Sequence, residues 1–142
     1  MKAMQAYDQT SQIKIKSKDA IIHFKEGLIG FPNLKDFMLI ENERFFPLRR
    51  MQSVDSPEVG FFVLEATILR EDYHEQVPPM DWESIGVQGN TKAQAFGIVV
   101  IGSTAETSTG NFHAPLLINY EQMIGKQVIL TDSGFPVRRP PV

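Results

Sequence analysis

Not one cysteine occurs in the 142 residues. That removes disulfides, zinc ribbons and thiolate nucleophiles from consideration, and nothing asks for an oxidising compartment. Long apolar runs are missing too. The longest, such as Ile98-Val99-Val100-Ile101, fall far short of the ~20 residues that span a bilayer. The first ten residues lack the apolar core of a secretory signal, so a cytoplasmic chain with no membrane association is expected. There is no excess of basic residues: 14 Lys and Arg stand against 17 Asp and Glu, a formal net charge of −3. That balance speaks against non-specific nucleic-acid binding as the main task. Charged residues are only 22% of the chain, while phenylalanine alone contributes ten, so disorder is excluded. At this length roughly two thirds of the unfolded surface can be buried, enough for one core. The expectation is a single domain over 1–142, with 1–10 and 135–142 as loose ends.

The acidic residues are unevenly spread. Residues 51–91 hold one arginine against eight acids: Asp55, Glu58, Glu65, Glu71, Asp72, Glu75, Asp81 and Glu83. Both flanking segments are slightly basic. An acidic surface attracts basic partners and speeds their encounter; the plainer alternative is a solvated face.

Periodicity favours strands. Gln12-Ile13-Lys14-Ile15-Lys16 alternates polar and apolar residues, as a half-exposed strand does. Short β-branched or aromatic runs follow at 20–24, 37–40, 45–51, 60–66, 96–101, 115–119 and 127–131. Turn chemistry separates them, at Gly27, Gly30-Phe31-Pro32, Ser56-Pro57, Gly89-Asn90, Thr109-Gly110-Asn111 and Ser133-Gly134. About eight short strands with turns between them describe an all-β fold, a small antiparallel barrel or sandwich. One or two short helices fit, near 80–85 and 121–124, the first capped by Asp81 with Trp82 and Ile85 inward. The polar stretch 70–79 ends in two prolines and reads as a long surface connection. The proline-rich tail 135–142 is unsuited to a central strand for the same reason.

Catalytic constellations are hard to find. His23, His74 and His113 stand far apart and at no metal-ligand spacing, so structural or surface roles are favoured. No Gly-x-Ser-x-Gly elbow exists, and the Ser/Thr-rich stretch 103–109 reads as a polar loop. Glu71-Asp72 is a carboxylate pair in a hydrophilic setting, without the burial that raises a general acid's pKa. Gly27-Leu28-Ile29-Gly30 matches the G-x-x-G of KH loops, but Phe31-Pro32 breaks the helix such a loop needs. Arg49-Arg50 and Arg138-Arg139 are too sparse for a nucleic-acid track. No catalytic residue, metal ligand or cofactor site is assigned.

Three segments together resemble one family. Ile21-Ile22-His23-Phe24-Lys25-Glu26-Gly27-Leu28-Ile29-Gly30-Phe31 is similar to the opening of the bacterial flagellar assembly factor FliW family. Met51-Gln52-Ser53-Val54-Asp55-Ser56-Pro57, followed by Gly60-Phe61-Phe62-Val63, resembles that family's Q-S-x-x-D-P segment with one extra residue before Pro57. Asn111-Phe112-His113-Ala114-Pro115-Leu116-Leu117-Ile118-Asn119, then Gly125-Lys126-Gln127-Val128-Ile129-Leu130, resembles its N-L-x-A-P-I-x-I-N and G-x-Q-V-V-L segments. Phe112 stands where the family usually has leucine.

The resemblance implies a barrel-like domain without catalysis. It implies a chaperone-like regulator that binds flagellin, and that binds the translational repressor CsrA away from its RNA surface, relieving repression of flagellin translation. It implies a protein that is monomeric when free and makes no direct nucleic-acid contact. Most motif glycines, prolines and apolar residues read as fold devices. The acidic middle is the better source of contacts, since an RNA-binding partner is basic; Asp55, Glu65, Glu71 and Asp72 are the candidate partner-binding residues. The second reading kept open is a small RNA-binding β-barrel acting directly on mRNA.

Overall fold

The computed structural model describes residues 21–100 and 109–130. The expected strand at 12–16, most of the Ser/Thr-rich loop and the tail lie outside them. Seven strands form one closed ring: β1 (Ile21–Phe24), β2 (Asp36–Glu41), β3 (Arg49–Ser53), β4 (Gly60–Glu65), β5 (Ala93–Val100), β6 (Thr109–Asn119) and β7 (Ile124–Gln127). Neighbours in sequence pair antiparallel all the way round. β1 then meets β7 in parallel, with His23 opposite Ile124 and Phe24 opposite Gly125. The expected all-β barrel is therefore present, with this one parallel seam.

Between β4 and β5 the chain makes three short helices: α1 (Ala66–Leu69), α2 (Tyr73–Gln76) and α3 (Pro79–Glu83). The helix expected near 80–85 is α3. Pro78 holds its N-cap position, and Asp81 lies in the first turn instead of capping it. The helix expected at 121–124 is a turn. Asn119 Oδ1 accepts the N–H groups of Glu121 and Gln122, at 2.9 and 3.1 Å, and Met123 takes a positive φ of 56°. That side-chain bond offers the backbone an alternative to helix. The stretch 70–79 is not a plain surface connection, because it carries α2 and the fully buried Tyr73.

Alternation along the strands builds two cores. Inward residues Ile22, Phe24, Phe37, Met51, Val63, Phe96, Leu116 and Ile118 fill the barrel. Outward residues Leu64, Ala95, Val99, Phe112 and Leu117 pack under the helices, with Tyr73, Val77 and Ile85. Strands buried on both faces read as continuous apolar runs such as Pro115-Leu116-Leu117-Ile118, not as alternation. A smaller outer cluster pairs Met38 and Ile40 with Phe45 and Val54.

Phe112 reaches the outer core through a bulge. Phe96 and Ile98 of β5, two positions apart, face Leu116 and Asn111 of β6, five positions apart. Asn111 Oδ1 accepts the N–H groups of His113 and Ala114 at 3.0 and 3.3 Å, which closes the extra loop of chain. The Phe112 ring then lies on Gly97 and Gly110. A Cβ on Gly97 would stand 2.4 Å from the ring, and one on Gly110 2.6 Å. Tyr73 stacks edge-on against Phe112, with centroids 6.2 Å apart, and its hydroxyl donates to the Phe112 carbonyl. Burial pushes the Tyr73 hydroxyl pKa up, so it stays a donor.

Gly97→Ala is expected to destabilise the protein by about 1–3 kcal/mol through overpacking. Adding Phe112→Leu to it should recover part of the loss, because the smaller side chain vacates the contact. Urea unfolding of the two single variants and the double variant measures this; additive losses would show that Phe112 does not press on Gly97.

Candidate partner-binding surfaces

The three segments singled out in the sequence supply contacts that shape the fold. Gln52 is buried and donates to the carbonyls of Pro57 and Val59, both at 2.8 Å, while Ser53 Oγ accepts from the N–H groups of Asp55 and Ser56. Together they shape the β3–β4 turn. Gln127 ties two distant segments: its Oε1 accepts the Ile29 N–H at 2.8 Å, and its Nε2 donates to the Ala114 carbonyl at 3.0 Å. Asn119 donates to the Ile85 carbonyl at 2.8 Å and so joins the helical layer to the end of β6. The G-x-x-G segment is a tight turn closed by a bridge between Leu28 and Phe31, with Gly27 and Gly30 at positive φ. No helix flanks it, so it lacks the geometry of a KH loop.

The two mouths of the barrel differ in chemistry. At one end the inward positions are polar. Arg49 bonds Glu65 at 2.8 Å and Glu41 at 3.4 Å, reaches the Tyr120 hydroxyl at 3.5 Å and lies over the Phe96 ring. Burial raises the Tyr120 pKa against the lowering pull of Arg49. At the other end the inward residues are apolar. Leu28, Ile29, Phe31, Val59, Phe61 and Ile98 line most of a hollow of about 330 Å³.

The candidate residues fall on different elements. Asp55 is exposed in the β3–β4 turn. Glu65 lies at the opposite end of β4, three-quarters buried and paired with Arg49; its charge serves the barrel mouth. Glu71 and Asp72 share the turn between α1 and α2. Asp72 accepts from Arg70 Nε at 2.6 Å, and this hydrogen bond holds its carboxyl below the usual carboxylate value. Only Glu71 and Asp72 are thus brought together.

Sequence reasoning missed a second hollow, of about 450 Å³, on the helical layer. His74, Glu75, Val77, Pro79, Trp82 and Glu83 form one side and the 87–93 segment the other. Trp82 is held by its Nε1–H on the His74 carbonyl, 3.2 Å away, and by the His74 ring, 5.0 Å centroid to centroid. His74 Nε2 lies 2.8 Å from Gln94 Oε1, which fixes the imidazole against β5. The i, i+8 relation of His74 and Trp82 across Pro78-Pro79 was the available signal, but it has no periodic reading.

Among the described residues, no group of three or more His, Asp or Glu is placed to hold a metal ion, and no helix is long and apolar enough to cross a membrane. What the geometry defines is a small closed β-barrel with a helical annex, whose polar motif residues are spent on turns and whose surface is acidic on the annex side.

The comparisons identify which barrel this is. The model of the family described as FliW protein matches residues 6–141. The flagellar assembly factor FliW of Bdellovibrio bacteriovorus is 30% identical over 129 residues, covering 91% of this chain and 73% of the relative. That of Thermotoga neapolitana is 34% identical over 121 residues, covering 84% and 81%. A crystal structure of the flagellar assembly factor FliW superposes with a TM-score of 0.76 at 27% identity, covering 89% of this chain and 88% of that one. The chain belongs to the FliW family of flagellar assembly factors.

The structure separates the four carboxylates by role. Glu65→Ala is expected to cost about 1–3 kcal/mol, since it strips the part-buried Arg49 of its shortest charged partner. Glu71→Ala is exposed and should stay within about 0.5 kcal/mol of the parent. Chemical denaturation measures both; equal, small effects would remove Glu65 from the barrel's support.

Proposed function

We propose that this protein acts in the cytoplasm as a protein-binding regulator of flagellin synthesis, engaging the translational repressor CsrA and flagellin. Binding to CsrA relieves repression of flagellin translation, and flagellin competes by occupying the same regulator. The observation that carries this reading is membership of the FliW family over residues 6–141. The charge pattern supports it. The helical layer holds Glu71, Asp72, Glu75, Asp81 and Glu83 with Arg70 as its one arginine, a surface suited to a basic RNA-binding protein. Asp55 adds an exposed charge at the β3–β4 turn, while Glu65 is withdrawn into the barrel mouth.

Direct action on RNA finds no comparable support, because the G-x-x-G turn is not a KH loop and the acidic layer repels phosphate. The protein is expected to bind the CsrA and flagellin of its own host in pull-downs, and to leave flagellin leader RNA unshifted when CsrA is absent. Retardation of that RNA by the protein alone would overturn the reading.

A further inference from the structure

We infer that the hollow on the helical layer receives a lysine or arginine side chain from a basic segment of a protein partner, with Trp82 as its apolar wall. This inference rests on the reading of the chain as a binder of a basic protein, and it names the place. Three observations converge on it.

The hollow has the right size and walls. Its volume of about 450 Å³ exceeds one long side chain, and Val77, Pro79, Trp82 and Val87 offer apolar surface to the methylene stem. Long basic side chains lay such stems on apolar surface while the charged head stays at the rim. The rim carries the complementary charge. Glu75 and Glu83 are exposed, both line the hollow, and neither makes an ion pair among the described residues. No Lys or Arg lines the hollow. Glu65 and Asp72, in contrast, are already engaged by Arg49 and Arg70.

The aromatic wall is also fixed in advance. The Nε1–H bond to the His74 carbonyl and the His74 ring hold the indole in place, and Gln94 holds His74 in turn. A pre-placed indole face attracts a cation through its quadrupole, and a side chain that is already ordered loses little freedom on binding. The occupant is therefore a cation on an apolar stem. An acidic or purely apolar segment would leave both glutamates unmatched at the rim.

Trp82 is the chain's single tryptophan, so its emission reports on this hollow alone. Titrating the full chain with an oligoarginine peptide is expected to change Trp82 emission saturably. The double variant Glu75→Gln/Glu83→Gln should weaken the peptide's binding by about tenfold. A charge-matched control, Glu26→Gln/Glu43→Gln, removes two exposed carboxylates elsewhere and should weaken it much less. Silent Trp82 emission, or equal losses in the two double variants, overturns the inference. A parallel titration with the host's CsrA, read by calorimetry, tells this apart from failure of the functional reading. CsrA binding equally to parent and Glu75→Gln/Glu83→Gln sinks the hollow and leaves the function standing. A hollow-specific response to oligoarginine with no CsrA binding does the reverse.

Discussion

The barrel depends on a seam two residue pairs long. β1 and β7 have four residues each, and they join only through His23 with Ile124 and Phe24 with Gly125. The His23 N–H donates to the Met123 carbonyl at 3.0 Å at the start of that seam. Gly125 makes the approach possible. A Cβ there would lie 2.6 Å from the Phe24 ring and 3.0 Å from the Leu117 carbonyl oxygen. Phe24 therefore fills the interior directly over the junction, and packs edge-on with Phe37 at 5.8 Å. An open seam would expose that interior and two unpaired strand edges. It would also release the Leu28–Phe31 turn, which Gln127 holds from just beyond the seam.

The helical layer depends on the same strands from outside. β4, β5 and β6 present one face to the barrel and the other to the helices, so each core buttresses the other through a shared backbone. Phe112 is the coupling piece. Its ring needs Gly97 on β5, its own backbone is displaced by the Asn111 turn, and its carbonyl receives the Tyr73 hydroxyl from α2. A partner that grips the helical layer is thus gripping β5 and β6 as well, without a flexible linker between. Asn119 adds a second tie, from the end of β6 to the carbonyl of Ile85 just past α3.

Much of this was legible in the residues. Alternation and turn chemistry placed five of the seven described strands to within a few residues; β6 starts at Thr109, six residues before the expected run and straight through the turn expected at 109–111, and β7 meets the expected run 127–131 only at Gln127. Boundaries slipped where side chains intervened: the run at 45–51 pairs only from Arg49, because Phe45–Leu48 is a turn. α1 and α2 escaped notice because helices of four residues carry no period. Tyr73 escaped because it is one aromatic in a polar stretch, and its burial is decided by Phe112, thirty-nine positions away. Glu65 was legible only as a choice between solvent and a partner. Its partner Arg49 sits on a neighbouring strand, and only the register that sets Arg49 against Val63 brings the two side chains to one mouth. The hollow beside Trp82 had only the non-periodic i, i+8 relation of His74 and Trp82 as a signal, since its two walls come from opposite ends of the β4–β5 connection.

Closure of the ring restricts how such a protein can recognise others. Each described strand has a neighbour on both sides, so a partner finds no free edge among the described strands on which to add its own. Recognition then falls to side chains on outer surfaces, and there the two hollows offer opposite chemistry. The barrel mouth around Phe31 and Phe61 is apolar, with Ile29 60% and Phe31 43% exposed. It can reward only a partner that brings apolar surface and excludes water. The helical layer offers unpaired carboxylates around an indole, which act over the ~8 Å of the screening length and so govern encounter as well as contact. Two surfaces of different character are thus kept apart on one small domain. One surface selects by burial and is indifferent to salt; the other selects by charge and weakens as salt rises. Because both are anchored to the same β4–β5 pair, through Phe61 and Ile98 on one side and the α1–α3 layer on the other, they share a rigid frame.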